Sequence, residues 1–223
     1  MNNNLQENVV FMLGKWQELK IVRLSQIGAY LGDEENQVLL PKNQLPKGSQ
    51  PGDILNVFIY KDSGDRLIST VHKPKLAIGE IAPLKVRQIT SIGAFLDWGL
   101  EKDLFLPYGQ QTCELEEGVF YPVALYVDKS ERLAASMWID KYVTGADQNE
   151  KKRKISYIRL QTDAENIYEK IKKKGGYLPY DDKAEPERIE KDFGVSKNTF
   201  KRAVGILYKA RRLVLENGAI ELV

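Results

Sequence analysis

The chain has 223 residues, 43% of them hydrophobic and 29% charged, with a formal net charge of +2, one cysteine and one histidine. That composition excludes wholesale disorder, and Cys113 and His72 alone exclude an internal disulfide framework and argue against a Cys/His metal centre. No run of 18 apolar residues is present and Met1-Asn2-Asn3-Asn4 lacks the form of a signal peptide, so a cytoplasmic protein without a membrane span is expected.

The small net charge hides an asymmetry. Residues 1–75 carry +1, residues 76–143 carry −4 and residues 144–223 carry +5. The basic footprint expected for a phosphate-bearing partner therefore lies at the C-terminal end.

From Leu5 to Trp16 no clean period is visible, and a short lead-in covering one end of the first folded unit is expected. Apolar runs of four to seven residues follow, separated by the turn chemistry of Gly32-Asp33-Glu34-Glu35-Asn36, Pro46-Lys47-Gly48, Pro51-Gly52-Asp53 and Asp62-Ser63-Gly64-Asp65. They predict strands near Leu19–Leu24, Gly28–Leu31, Val38–Pro41, Ile54–Tyr60 and Arg66–Val71. Five short strands in so little chain predict a small Greek-key barrel of the OB type, because closure removes the unpaired edges of a small sheet.

The pattern then repeats. Leu19 to Leu31 returns as Leu84 to Leu96, including Ile27-Gly28-Ala29-Tyr30 as Ile92-Gly93-Ala94-Phe95. After one inserted residue Leu40-Pro41 answers to Leu106-Pro107 and Arg66-Leu67 to Arg132-Leu133. A period of this length marks a duplicated domain. The glycine in each copy fits a strand bending around a barrel where a side chain would collide with its neighbour. The copies are assigned to residues 1–75 and 76–142, with a joint short enough to hold them side by side.

Residues 143–157 are polar, charged and aperiodic, and are read as a linker containing Lys151-Lys152-Arg153-Lys154. In residues 158–223, Ala164, Ile167, Tyr168 and Ile171 recur at helical spacing before Gly175-Gly176. Pro186 suits the first turn of a second helix, and Ser196 the N-cap of a third with the apolar stripe Phe200, Ala203, Val204 and Leu207. The tail carries Asn217-Gly218, a strong hairpin signal. Three helices and a hairpin predict a winged helix, so the fold class is multidomain all-β plus α.

The paired Ile-Gly-Ala-aromatic-Leu segments, each followed by Leu-Pro and later by Asp-x-x-x-Arg, resemble S1-type RNA-binding domains. Two such barrels ahead of a C-terminal winged helix resemble the bacterial conserved virulence factor B family. Gly175-Gly176-Tyr177-Leu178, Phe193-Gly194-Val195-Ser196-Lys197 and Phe200-Lys201-Arg202-Ala203-Val204-Gly205 are similar to that family's ending. The family usually has a third barrel before the winged helix, where this chain has only residues 143–157. The resemblance implies RNA binding and post-transcriptional regulation.

It also implies site residues. The second RNA-holding aromatic is matched by Tyr30 and Phe95, and the Asp and Arg of the following hairpin by Asp62 and Arg66 and by Asp128 and Arg132. The first aromatic is replaced by Ile27 and Ile92, and the expected histidine by Pro41 and Pro107, so about half of the set is absent. Read from the residues themselves, Tyr30 and Phe95 either stack on bases or belong to the core. Arg66 and Arg132 either face RNA, oriented by the aspartate four residues earlier, or form exposed ion pairs. Lys20, Arg23 and Lys42 add positive charge beside the first copy, with Lys85 and Arg87 in the second.

On the third helix Lys197, Asn198, Lys201 and Arg202 face away from the apolar stripe, as a groove-reading helix requires, and Arg211 and Arg212 precede the wing. A solvated helix face on a protein-binding domain is the alternative. No phosphate-binding glycine loop or nucleophile elbow is present, and the carboxylate-rich turns Asp33-Glu34-Glu35 and Glu114 to Glu117 read as solvated turns. The expectation is a non-enzymatic protein without cofactor or metal that binds single-stranded RNA. A DNA-binding regulator using the winged helix, or a protein adaptor using the acidic second barrel, are the alternatives.

Overall fold

The structure is a computed structural model describing residues 9–143 and 147–223. In the first barrel β1 (Trp16–Ser25), β2 (Gly28–Gly32), β3 (Gln37–Pro41), β4 (Ile54–Lys61) and β5 (Leu67–Thr70) close in the order β1-β2-β3-β5-β4. The closing contact is a parallel bridge between Leu39 and Ile68. Leu19, Ile21, Ala29, Leu31, Val38, Leu40, Val57 and Ile59 fill the interior. Val9 and Phe11 pack against that core, and residues 1–8 of the expected lead-in lie outside the described residues.

The second barrel repeats the plan with β6 (Ile81–Thr90), β7 (Gly93–Asp97), β8 (Leu104–Pro107), β9 (Phe120–Val127) and β10 (Leu133–Ser136). Small devices are duplicated too. A bulge follows Ile21 in β1 and Val86 in β6. Ser25 Oγ donates to the Gly28 carbonyl and Thr90 Oγ1 to that of Gly93, both at 2.9 Å. A Cβ on Gly28 would stand 2.0 Å from the Leu40 carbonyl oxygen, and one on Gly93 2.5 Å from that of Leu106. Only glycine permits this approach of β2 to β3 and of β7 to β8.

Closure differs between the copies. The second sheet runs β10-β9-β6-β7-β8, with no main-chain ladder between β8 and β10 among the described residues. The expectation of two hydrogen-bonded cylinders is therefore corrected for the second: Leu104, Leu106 and Ala135 share one buried core, and side-chain packing brings its free edges together.

The barrels are fused through β4. Its run Val57-Phe58-Ile59-Tyr60 is buried on both faces: Val57 and Ile59 enter the first core, while Phe58 and Tyr60 join the core of the second. A strand covered on both sides needs a continuous apolar run rather than alternation. Trp98, 3% exposed, meets Phe58 and Tyr60 edge to face at centroid distances of 6.0 and 6.3 Å. Gly14 lies in the same seam, where a Cβ would stand 2.7 Å from Ile78 and 2.8 Å from Leu133.

Helix α1 (Gln148–Lys173) corrects the reading of residues 143–157 as an aperiodic linker, since from Gln148 onward that stretch is helical. The Asp147 side chain accepts from the Glu150 N–H at 2.8 Å, and the helix-favouring Gln, Glu, Lys and Arg residues carry the first turns. Residues 144–146 lie outside the described residues. The helix docks on the second barrel: the Phe120 N–H donates to Asn166 Oδ1 at 2.7 Å, Asn166 Nδ2 returns a bond to the Phe120 carbonyl at 3.0 Å, and Lys85 pairs with Glu169 at 2.9 Å.

Beyond α1 come β11 (Tyr177–Leu178), α2 (Pro186–Phe193), α3 (Lys197–Lys209), β12 (Leu213–Glu216) and β13 (Ala219–Leu222). Pro186 opens α2, Gly194 ends it in the left-handed region, and Ser196 caps α3. Asn217 and Gly218, with φ of 51° and 75°, turn the wing. The two-residue strand β11, absent from the sequence reading, adds to β13 to make a three-stranded sheet. Among the described residues no helix is long and apolar enough to cross a membrane.

Candidate nucleic-acid interface

Ala29 and Leu31 point into the first barrel, so Tyr30 between them faces out. Cross-strand register sets Tyr30 opposite Arg23 on β1 and opposite Leu39 on β3, and Leu39 bridges Ile68. The Arg23 guanidinium lies 3.6 Å above the Tyr30 ring and is steadied by Gln37, which accepts from Nε at 3.0 Å. This layered pair is a cationic plane on an outer wall, a surface on which an unpaired base can stack. Lys20 and Lys42 are exposed on the same barrel, and the Lys42 N–H donates to the Ile27 carbonyl beside the Gly28 turn. Ile27 itself is 59% exposed.

Arg66 lies in the β4–β5 turn with its side chain 81% exposed. Its Nε and Nη2 donate to Asp62 Oδ2 at 3.0 and 2.6 Å, while Asp62 Oδ1 takes the N–H groups of Gly64 and Arg66. The Arg66 bond holds the Asp62 carboxyl below its ordinary range, and that same bond holds the guanidinium above its own. Asp62 thus fixes the turn and the arginine together, leaving the outer edge of the guanidinium in water.

The second copy departs from this arrangement. The Asp128 carboxylate takes the main-chain N–H of Ser130 and of Arg132, at 2.8 and 3.0 Å, but not the Arg132 side chain. The guanidinium reaches across the seam to Asp65 of the first barrel, with Nε at 2.9 Å and Nη2 at 2.5 Å. The local Asp128–Arg132 ion pair expected from spacing is replaced by a link between barrels. Phe95 faces outward, half-buried, opposite Phe105 on β8, with ring centroids 5.3 Å apart. Sequence reasoning passed over Phe105. The alternation of Leu104-Phe105-Leu106, buried on either side of a half-exposed ring, is the signal for it.

The remaining acidic turns serve structure. Asp33 accepts from the N–H groups of Val9, Glu35 and Asn36, which hold its carboxyl below the usual range, and Glu117 accepts from the Ile89 N–H.

On α3 Asn198, Lys201 and Arg202 are exposed, opposite the buried Phe200, Ala203, Val204 and Leu207. Lys201 Nζ stands 3.9 Å from Asp182, and Lys197 Nζ turns back to donate to the Lys183 carbonyl at 3.1 Å. Arg211, with φ of 57°, is exposed before the wing. Arg212 is not: its guanidinium makes a two-pronged bond to Glu165 of α1 and lies 3.9 Å over the Tyr168 ring. The reading of Arg212 as a phosphate contact gives way to one in which it clamps the wing to α1.

Family models match the chain in three places, an S1 domain over residues 13–72 and again over 78–138, and a CvfB-like winged helix domain over 165–222. Conserved virulence factor B of Staphylococcus aureus (strain USA300) is 27% identical over 228 residues, covering 93% of this chain and 70% of that protein. The uncharacterized protein YitL of Bacillus subtilis (strain 168) is 24% identical over 273 residues, covering 92% of each chain. Since that alignment is longer than this whole chain, YitL carries a stretch without counterpart here, comparable in size to one barrel. The crystal structure of a multidomain protein with nucleic acid binding domains from Streptococcus pneumoniae TIGR4 shares the fold, with a TM-score of 0.50 at 18% identity over 95% of this chain and 98% of that one. Two S1 domains and a winged helix, nucleic-acid-binding domains in this order, place the chain in the conserved virulence factor B family.

Proposed function

We propose that the chain is a non-enzymatic, cytoplasmic protein that binds single-stranded RNA with little sequence preference and acts in post-transcriptional regulation. The observation that carries this reading is the outward Tyr30 ring layered under Arg23, in a row with Leu39 and Ile68 that runs toward Arg66. An aromatic and a guanidinium plane suit any base, since every base has a π-face, and Lys20, Lys42 and Arg66 supply charge for the backbone. The bases of a duplex are already stacked and cannot use such a wall.

A second reading, duplex recognition by α3, is favoured by the exposed Asn198, Lys201 and Arg202. Competition separates the two. Labelled single-stranded RNA held by the full chain should be displaced by unlabelled single-stranded RNA at far lower concentration than by duplex DNA of equal length. Displacement by duplex DNA at the lower concentration, abolished in Lys201→Ala/Arg202→Ala, would support the duplex reading instead.

A further inference from the structure

The two ties that cross the seam enclose a space. Arg132 holds Asp65, and Lys102 Nζ donates to the Asp62 carbonyl at 3.0 Å, so the first barrel's β4–β5 hairpin is pinned against the outer face of the second barrel. Between them opens a cleft of about 280 Å³. Phe95 and Phe105 of the second barrel line it on one side, and Tyr60 and Lys61 of the first line it on the other. Ile92, 64% exposed, is also among its lining residues.

The charges around the cleft balance. Lys61, Lys102 and Arg132 are set against Asp65, Asp103 and Asp128. Asp65 is engaged by Arg132, and Asp128 binds the main chain of its own turn. Asp103 has one carboxylate oxygen sealed from solvent without a hydrogen bond, with Arg87 Nε at 3.4 Å. A phosphate would find no net attraction here. A neutral planar ring would find aromatic surface and polar groups at its edge.

We propose that this cleft is a nucleobase site built jointly by both barrels, which takes an unpaired base of the RNA strand onto Phe95 and Phe105 while the strand's phosphates stay outside, on the cations of the first barrel. The inference rests on the reading of the chain as a single-strand RNA binder and deepens it. The path is continuous: the row Tyr30, Leu39, Ile68 leads into the hairpin that carries Arg66, and that hairpin is the cleft's wall. The second barrel alone would offer the base one face only. The two barrels therefore bind a strand as one body, with the acidic second barrel contributing stacking rather than charge.

The test uses the full chain and a fluorescein-labelled single-stranded RNA of about twelve nucleotides, within the site size of OB-fold proteins, titrated by anisotropy over a salt series. Phe105→Leu, which copies the residue at the matching position of the first barrel, should weaken binding roughly five- to 150-fold, the range for loss of one base stack. The slope of log affinity against log salt should stay that of wild type, because no phosphate contact is removed. Wild-type affinity in Phe105→Leu, alongside weakened binding in Tyr30→Ala, would overturn the cleft site and leave the first-barrel site standing. A wild-type chain that binds no RNA would remove both. A measurement free of substitutions is crosslinking of wild type to 4-thiouridine RNA: adducts on peptides containing Phe95 or Phe105 as well as Tyr30 support the site, and adducts on the Tyr30 peptide without them overturn it.

Discussion

Arg132 of the second barrel gives its guanidinium to Asp65 of the first, 67 residues away, and not to Asp128 in its own hairpin. Both side chains are well exposed, at 57% and 41%, so the pair is worth only about 0–1 kcal/mol to the fold. Its consequence lies in binding, because a carboxylate occupies the arginine that a phosphate would otherwise meet. Asp65→Asn is expected to change the melting temperature by no more than about 4 °C. The same variant should bind single-stranded RNA more tightly and steepen the salt slope by about one phosphate. Calorimetry and anisotropy check the two halves.

The seam itself depends on Trp98. The ring is buried against Phe58 and Tyr60, and its Nε1 donates to the Lys102 carbonyl at 2.5 Å. Trp98→Ala should cost about 3–5 kcal/mol by loss of a large buried side chain. Limited proteolysis should then cut the joint near residues 73–80 faster than in wild type, since the barrels lose their shared core.

Arg212 and Arg202 should behave as opposites. Arg212→Ala removes the clamp between the wing and α1, with an expected loss of roughly 1–2 kcal/mol of stability and no change in the salt slope of nucleic-acid binding. Arg202→Ala should leave the melting temperature unchanged. Thermal melts of the two variants, run beside salt titrations, read out both effects.

The winged helix carries a pH-sensitive contact. The Tyr180 hydroxyl donates to Asp192, and Lys174 stands 3.4 Å from the same carboxylate oxygen. The tyrosine bond, with lesser help from Lys174, holds the Asp192 carboxyl below its ordinary value against the opposing effect of burial. A carboxyl lowered by folding contributes its full stability above its unfolded pKa of about 3.9 and loses it as pH falls through the folded value. Unfolding monitored between about pH 5 and pH 2 should show a shallower acid limb in Asp192→Asn, and that variant should also be less stable than wild type at pH 7.

Much of the architecture was legible because it rests on local chemistry. Gly28 and Gly93 announced the close strand approach, Ser196 the start of α3, and Asn217-Gly218 the wing. The first turns of α1 were missed because their exposed residues have no apolar period to read, yet Asp147 followed three residues later by Glu150 is a helix-start signature. The seam was foreshadowed by Val57-Phe58-Ile59-Tyr60, a run too continuous for a strand facing one core.

The site was harder. Tyr30 and Arg66 lie where the duplicated motif puts them, on the outer wall and in the β4–β5 turn. Spacing alone does not reveal partners. The i,i+4 rule paired Asp62 with Arg66 and failed for Asp128 with Arg132, because the second hairpin lies within reach of a carboxylate on another domain. Arg212 was misread for the same reason: Glu165 and Tyr168 are close in space and distant in sequence.

The central claim is that the Tyr30 and Arg23 plane holds unpaired bases. Affinity of the full chain for labelled single-stranded RNA, measured for wild type and Tyr30→Ala at several salt concentrations, tests it most directly. The account predicts a loss of about 1–3 kcal/mol for Tyr30→Ala at every salt concentration, with the salt slope retained. Equal affinities for the two proteins across the series would contradict it.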